Sequence, residues 1–358
     1  MNTQPIRIGA LAPLTRPGWA EAGRHLLAGL ELAVREVNAA GGIAGNPLEL
    51  LVRDTAANPQ KAEAAVDELA GSGVVAVVGE YHSVVARTVA ARADALGVPF
   101  LCSSAVLDDL IDHPTNWVAR LPPPQSQGWH LYADFLVSEG HTRVAAAVDP
   151  SAYWAAGTKI LHNALTPHGG TLATLDMRGH TPNSVCDELL AQGATALLLL
   201  VGHPDPAGPI VKAVRTDPRL TELLIGAPAG QPELTEWAGL LGDDGTAVPF
   251  LRYLPAHLTP SGERIERTLR NDLKEAPSFV AFEGHDTITV LATALRTQGT
   301  TRSSLAASWP HLTVEGTRGT IRFTRTPPSN VWQWTCPPIQ IADRDPASPD
   351  NFRTLHTS

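Results

Sequence analysis

Short apolar runs alternate with stretches of helical periodicity along this chain, and the whole series restarts after the proline cluster Pro122–Pro124. Ile6–Ala12 is an apolar run ended by Pro13, which suits a strand buried on both faces. From Trp19 onward Leu26, Leu27, Leu30, Val34 and Val37 recur at helical spacing, and the helix is expected to stop at Gly41–Gly42. Leu48–Arg53, Val74–Val78 and Val98–Cys102 read as further strands, separated by helices opening at Pro59 and at Val84. The second series runs helix Gln125–Glu139, strand Arg143–Asp149, helix to about His168 and strand Leu172–Asp176. Helix Asn183–Gln192, strand Thr195–Val201, helix Pro209–Thr216 and strand Leu223–Gly226 complete it. Strands that alternate with helices of this length need crossover connections, hence parallel sheets. The expectation is an α/β chain of two doubly wound parallel-sheet lobes. Such sheets present their loops beyond the carboxyl ends of the strands.

Length agrees with two lobes, because 358 residues exceed the roughly 250–300 at which one core stops growing. The remainder, with helices over Gly262–Ala276 and Phe279–Arg296 and a strand over Gly319–Thr324, is too short for a third domain and completes the two. The tail after Asp343 is rich in Pro, Asp and Ser and reads as irregular coil. A net charge of −9 with no dense basic run repels phosphates, which excludes nucleic acid as a partner. Cys102, Cys186 and Cys336 show neither CxxC spacing nor an even count, so they read as reduced. No apolar stretch approaches the ~20 residues that span a bilayer, so no membrane insertion is expected. Met1–Arg7 carries no charged segment followed by an apolar one. The chain as written is therefore expected in the cytoplasm, or outside it if a signal has been removed.

The runs IRIGALAPLTRPGW, LAGLELAVREVNAAGGIAGNPLELLVRD and ANPQKAEAAVDELAGSGVVAVVGEYHS closely resemble the leucine/isoleucine/valine-binding family of type I periplasmic solute-binding proteins. Around Gly79-Glu80-Tyr81-His82-Ser83 the chain is most similar to that family's amide and urea receptors. The resemblance implies a three-segment hinge, with crossings near Arg120–Pro123, Arg252–Leu254 and Ser329–Val331. One lobe would then hold residues 1–121 and 253–329, the other 122–252 and 330–345, leaving 346–358 as a tail.

Ser83 stands just past a strand, at the start of a helix whose unpaired N–H groups suit a carboxylate, amide or urea oxygen. The resemblance implies that its hydroxyl holds a ligand oxygen; as a plain helix cap it would need no ligand. By the same resemblance Tyr81 forms a pocket wall, Ser104 supplies polar contacts, Trp19 lies over the ligand and Tyr153 reaches it from the other lobe. Each has a structural alternative, a core aromatic or a turn serine. The departures bear on specificity. Where the amino-acid receptors place a glutamate after Gly-Pro, this chain reads Gly226-Ala227-Pro228-Ala229-Gly230, so an α-ammonium lacks its counter-charge. Val106 replaces a threonine near the carboxylate, and Gly202 replaces a tyrosine. His203, Asp205 and His285 are candidates for compensating polar contacts, although such histidines are more often structural than ligand-binding.

No nucleophile elbow, phosphate loop, metalloprotease helix or dinucleotide fingerprint follows a strand, and the histidines lack metal-ligand spacing. No catalytic residue, cofactor or metal is expected. His82 and Ser83 are neighbours on a turn, which points their side chains apart. The resemblance implies a non-enzymatic protein that closes on a small polar, amide-, urea- or carboxylate-bearing ligand and delivers it to an ABC permease. The alternative is a cytoplasmic amide-type sensor that regulates a partner protein.

Overall fold

The computed structural model describes residues 4–357; Met1–Thr3 of the N-terminal stretch and Ser358 of the tail lie outside the described residues. The chain divides into two compact units, residues 1–124 with 257–338 and residues 125–256 with 339–358. In chain order the first unit opens with β1 (Ile6–Ala12), α1 (Ala20–Ala39), β2 (Leu48–Asp54) and α2 (Pro59–Gly71). It continues with β3 (Ala76–Gly79), α3 (Ser83–Ala95), β4 (Phe100–Cys102) and β5 (Val118–Arg120). The second unit holds α4 (Gln125–Ser138), β6 (Arg143–Val148), α5 (Ala152–Leu165), β7 (Thr171–Asp176), α6 (Pro182–Gln192) and β8 (Ala196–Leu200). After these come α7 (Ala207–Thr216), β9 (Leu224–Gly226), α8 (Thr235–Leu241) and β10 (Phe250–Arg252). The chain re-enters the first unit with α9 (Pro260–Leu273), α10 (Phe279–Gln298), α11 (Arg302–Ser308), β11 (Val314–Glu315), β12 (Thr320–Ile321), β13 (Phe323–Thr324) and β14 (Trp332–Trp334). It ends in the second unit with β15 (Gln340–Asp345) and β16 (Ser348–Thr357).

In the first unit seven strands lie in the order β13-β14-β5-β4-β3-β1-β2, all parallel pairs except β13 with β14. The residues of β3 and β4 are fully buried, as continuous apolar runs in a parallel sheet require. Val66, Leu69, Val85, Val89 and Phe100 share one core cluster, in which α2 and α3 cover one face of the sheet. Helices α1 and α10 pack so closely that a Cβ on Gly29 would lie 1.9 Å from the Ala281 carbonyl oxygen, and one on Gly284 2.3 Å from that of Leu26. Only glycine permits that backbone approach. As the periodicity predicts, Leu26, Leu30 and Val37 of α1 are buried and the helix gives way to Gly41 and Gly42 at positive φ.

The second unit carries a four-stranded parallel sheet, β7-β6-β8-β9, around Ala145, Leu197, Leu199, Val211 and Ile225. Beside it, β10, β15 and β16 form an antiparallel sheet of their own. Two expectations need correction here. The tail is strand β16, not coil: it pairs antiparallel with β15, and its largely exposed polar side chains conceal a paired backbone. Residues 330–338 belong to the first unit, because Trp332–Trp334 pairs with β5 and buries Trp334.

Candidate ligand-binding site

In an open α/β sheet the ligand crevice forms where two neighbouring strands send their connections to opposite sides. In the first unit that place lies between β1 and β3, and the loops leaving them carry Trp19 and Tyr81–Ser83. The rings of Trp19 and Tyr81 are 5.7 Å apart, and His82 meets both edge-on. The Trp19 N–H donates to His82 Nε2 at 3.1 Å, which requires an unprotonated nitrogen there. Burial agrees, pushing the imidazole down to about 4. His82 is thus committed to the loop and is not a base for Ser83.

The turn between β3 and α3 is held by Glu80. Gly79 and Glu80 both take positive φ (109° and 56°), and a Cβ on Gly79 would come within 2.1 Å of the Leu11 carbonyl oxygen. The buried Glu80 carboxylate accepts from the Tyr81 and His82 N–H groups, each at 2.9 Å, and so secures a conformation that a non-glycine residue adopts at a cost of about 1–3 kcal/mol. Burial pushes its carboxyl up to about 7, against those two backbone bonds.

Ser83 is the first residue of α3, and His82, at the cap position, makes no side-chain cap. Helices α2, α5, α6, α9 and α11 are by contrast capped by Asn58, Ser151, Thr181, Thr259 and Thr301. The Ser83 hydroxyl oxygen accepts instead from the N–H groups of Val106 (3.1 Å) and Leu107 (3.2 Å). The carbonyls of the same two residues accept from Arg120 Nη1, at 3.4 and 2.6 Å, while Arg120 Nε donates to Gln333 at 2.6 Å. Ser83 and Arg120 therefore clamp the 104–107 loop from both sides, and the Ser83 hydroxyl proton is left to donate. Val106 contributes backbone, and its buried side chain offers no hydroxyl.

Ser104, on the same loop, donates its hydroxyl to the Glu283 carboxylate. Glu283 belongs to a buried charge cluster with Asp286 of α10 and Arg318, whose Nη1 lies 3.4 Å from Glu283 and whose Nε lies 2.9 Å from Asp286. His285 points to a different face of α10. Its Nε2 meets Glu36 at 2.9 Å, and that bond, with the Arg264 ion pair, holds Glu36 down to about 2. The structure thus gathers Trp19, Tyr81, Ser83, Ser104 and Val106 around one set of loops and leaves His285 out of it.

In the second unit the switch point lies between β6 and β8. Tyr153 follows β6, with its ring edge-on to Trp129 at 5.8 Å and its carbonyl accepting from Gln125. Gly202 follows β8, and its N–H donates to Asp149 at 3.0 Å, tying the two switch-point loops together. His203 is buried against Trp237, 5.6 Å between rings, with Glu236 at 3.8 Å, whereas Asp205 is exposed. After β9, residues 226–230 bring no acid; buried Glu233 beyond them already pairs with Arg252 at 2.8 Å.

Arg120, Glu80 and Arg318 escaped the reading of the sequence as parts of the site. A signal existed: Arg120 interrupts the apolar run Val118–Leu121, and Glu283 and Asp286 sit among apolar residues in the fully buried stretch Phe279–Ile288 of α10. Ionisable groups in such places are buried and paired. Among the described residues one group has donor atoms close enough for a metal, Glu21, His25 and Glu275. Both ring nitrogens of His25 are already engaged there, Nδ1 by the Ser278 N–H at 3.0 Å and Nε2 by Glu275 at 3.0 Å. Cys102, Cys186 and Cys336 are all free thiols. No helix of the described residues is long and apolar enough to cross a membrane.

Two doubly wound units, with an uncapped helix start and aromatic side chains at the switch point of the first, have the architecture of a solute-binding protein. Residues 5–331 match the periplasmic binding protein family, and the chain belongs to it. It is 23% identical over 342 residues to the Leu/Ile/Val-binding protein homolog 3 of Brucella melitensis, covering 92% of this chain and 91% of that one. Its fold is similar to that of the branched-chain amino acid transporter substrate-binding protein LivJ from Streptococcus pneumoniae in complex with isoleucine. The TM-score is 0.82 at 18% identity, over 99% of this chain and 100% of the other. It is similar also to a solute-binding protein of an ABC transporter from R. palustris in complex with benzoate, with TM-score 0.81 at 17% identity, over 99% and 96% of the chains.

Proposed function

We propose that this protein is the substrate-binding component of an ABC importer and that it closes on a small carboxylate-bearing solute. The observation that carries the proposal is the first turn of α3, which lacks a side-chain cap and has the Ser83 hydroxyl proton beside it. Backbone N–H groups at a helix start favour an anion, and hydrogen bonds to a charged group contribute about 1.5–3 kcal/mol each. Trp19 and Tyr81 supply apolar walls next to that turn. The ligands named for the similar structures, isoleucine and benzoate, have a carboxylate in common and an ammonium only in one. The amide and urea ligands suggested by the sequence around Gly79–Ser83 would use the same turn through a neutral oxygen, with weaker bonds.

Mass spectrometry of whatever co-purifies, followed by calorimetry with L-leucine, L-isoleucine, benzoate, acetamide and urea, tests the proposal. Binding of at least one carboxylate and a smaller radius of gyration in small-angle scattering at saturation are expected. Binding of acetamide or urea alone overturns the carboxylate assignment.

A further inference from the structure

We propose that Glu283 sets the specificity of this site: through Ser104 it decides whether the 104–107 loop offers its ligand a hydrogen-bond acceptor or a donor. The inference rests on the reading that Ser104 faces the ligand. Ser104 has one hydroxyl proton. While the Glu283 carboxylate accepts it, as the structure shows, the Ser104 oxygen presents only lone pairs elsewhere and suits an N–H donor such as an ammonium. When Glu283 carries a proton, its own O–H donates to Ser104, and the serine proton turns outward to meet an acceptor.

The geometry singles out Glu283 as the group through which this cluster acts on Ser104. One guanidinium serves two carboxyls, and all three side chains are completely buried. Asp286 accepts from the Thr317 N–H at 2.6 Å, the Thr317 hydroxyl at 2.8 Å and Arg318 Nε at 2.9 Å. Glu283 has Ser104 and a longer contact to Arg318 at 3.4 Å. A buried carboxylate with fewer donors is the one that takes the proton. Burial indeed pushes Glu283 up to about 7, with Arg318 and Ser104 opposing and Asp286 reinforcing the rise. The other titratable group facing it is Cys102 on β4, whose thiol burial pushes up to about 12, so it stays neutral throughout. Helix α1 meets this part of α10 through Leu26 and Leu30 against Gly284, and its Glu36 faces His285 instead. Thr287, one turn on, bonds Ser103, so α10 grips the loop at two adjacent serines.

The test has two arms. Without ligand, carboxyl-labelled glutamate is titrated by NMR in the wild type, Glu283→Gln and Ser104→Ala. The resonance missing in Glu283→Gln is expected to titrate near neutrality, and Ser104→Ala should raise its midpoint by about half a unit or more, since the lost donor favoured the ionised form. An unmoved midpoint, or titration in the ordinary carboxylate range, overturns the proposal whatever the protein binds. With ligand, L-leucine is compared with 4-methylpentanoate, the same skeleton without the ammonium, at pH 5.5 and 8.5. The preference for leucine should rise about fivefold or more between the two, and should be flat in Glu283→Gln. A pH-dependent preference that persists in Glu283→Gln refutes the assignment and points to Glu80. If neither probe binds, the carboxylate reading of this pocket loses its support, and the NMR arm still decides whether Glu283 controls Ser104.

Discussion

Replacing Ser83 by alanine removes one oxygen and strands two backbone donors. The N–H groups of Val106 and Leu107 reach that oxygen at 3.1 and 3.2 Å inside a buried loop, and no other acceptor among the described residues takes them. Leaving a buried donor unsatisfied costs about 1–3 kcal/mol, and bonds of this length fall in the lower half of that range, so the pair costs about 2–4 kcal/mol. For a unit of some 200 residues each kcal/mol shifts the melting temperature by about 2–4 °C, which gives a loss on the order of 10 °C. Ser151→Ala is the internal control, since Ser151 caps α5 through the Trp154 N–H and its loss costs about 0.5–2 kcal/mol. Thermal and urea melts of both variants decide the matter. If Ser83→Ala is no less stable than Ser151→Ala, the hydroxyl does not hold the loop, and the clamp formed with Arg120 is wrong.

Gly157→Ala drives a Cβ to within 2.1 Å of the Trp129 ring, so overpacking should cost about 1–3 kcal/mol and shift tryptophan fluorescence; an unchanged melt would show that Trp129 can move freely. Glu80 has a folded pKa raised to about 7, so the folded state binds the extra proton and stability falls as pH rises from about 4.5 through 7. Glu80→Gln should therefore be more stable than the wild type at pH 8, by up to about 3 kcal/mol, with the gain gone at pH 4; equal pH profiles in chemical denaturation would refute it. Glu36 has the opposite sign: its carboxyl is held down to about 2, so its contribution is present above about 4.5 and is lost as pH falls toward 2. The melting difference between wild type and Glu36→Gln should accordingly close over that range, and a difference that stays constant down to pH 2 would exclude the ion pairs to His285 and Arg264.

The elements of both parallel sheets were legible in the sequence because burial is written locally. A strand covered on both faces must be apolar throughout, as Val77, Val78 and Leu197–Leu200 are, and a covering helix repeats its apolar residues every three or four positions. The glycines that end α1 and the proline that opens α2 are equally local. Trp19, Tyr81 and Ser83 could be placed at the ends of strands for the same reason. The tail was misread because β16 is half exposed and rich in turn-forming residues, and its pairing with β15 leaves little apolar trace.

What the sequence alone determined, then, is the alternation, the positions of the switch-point loops and the absence of an acid at 226–230. Only the tertiary structure decided what those loops are made to do. Ser104 meets Glu283 across 179 residues and Arg120 meets Gln333 across 213, pairings that depend on strand order and helix packing and have no periodicity to betray them. Ser83 shows the division within a single residue. Its place at a helix start can be read from its neighbours, but its oxygen is taken by a loop more than twenty residues away, so it acts as a clamp and not as the cap that local chemistry alone would suggest.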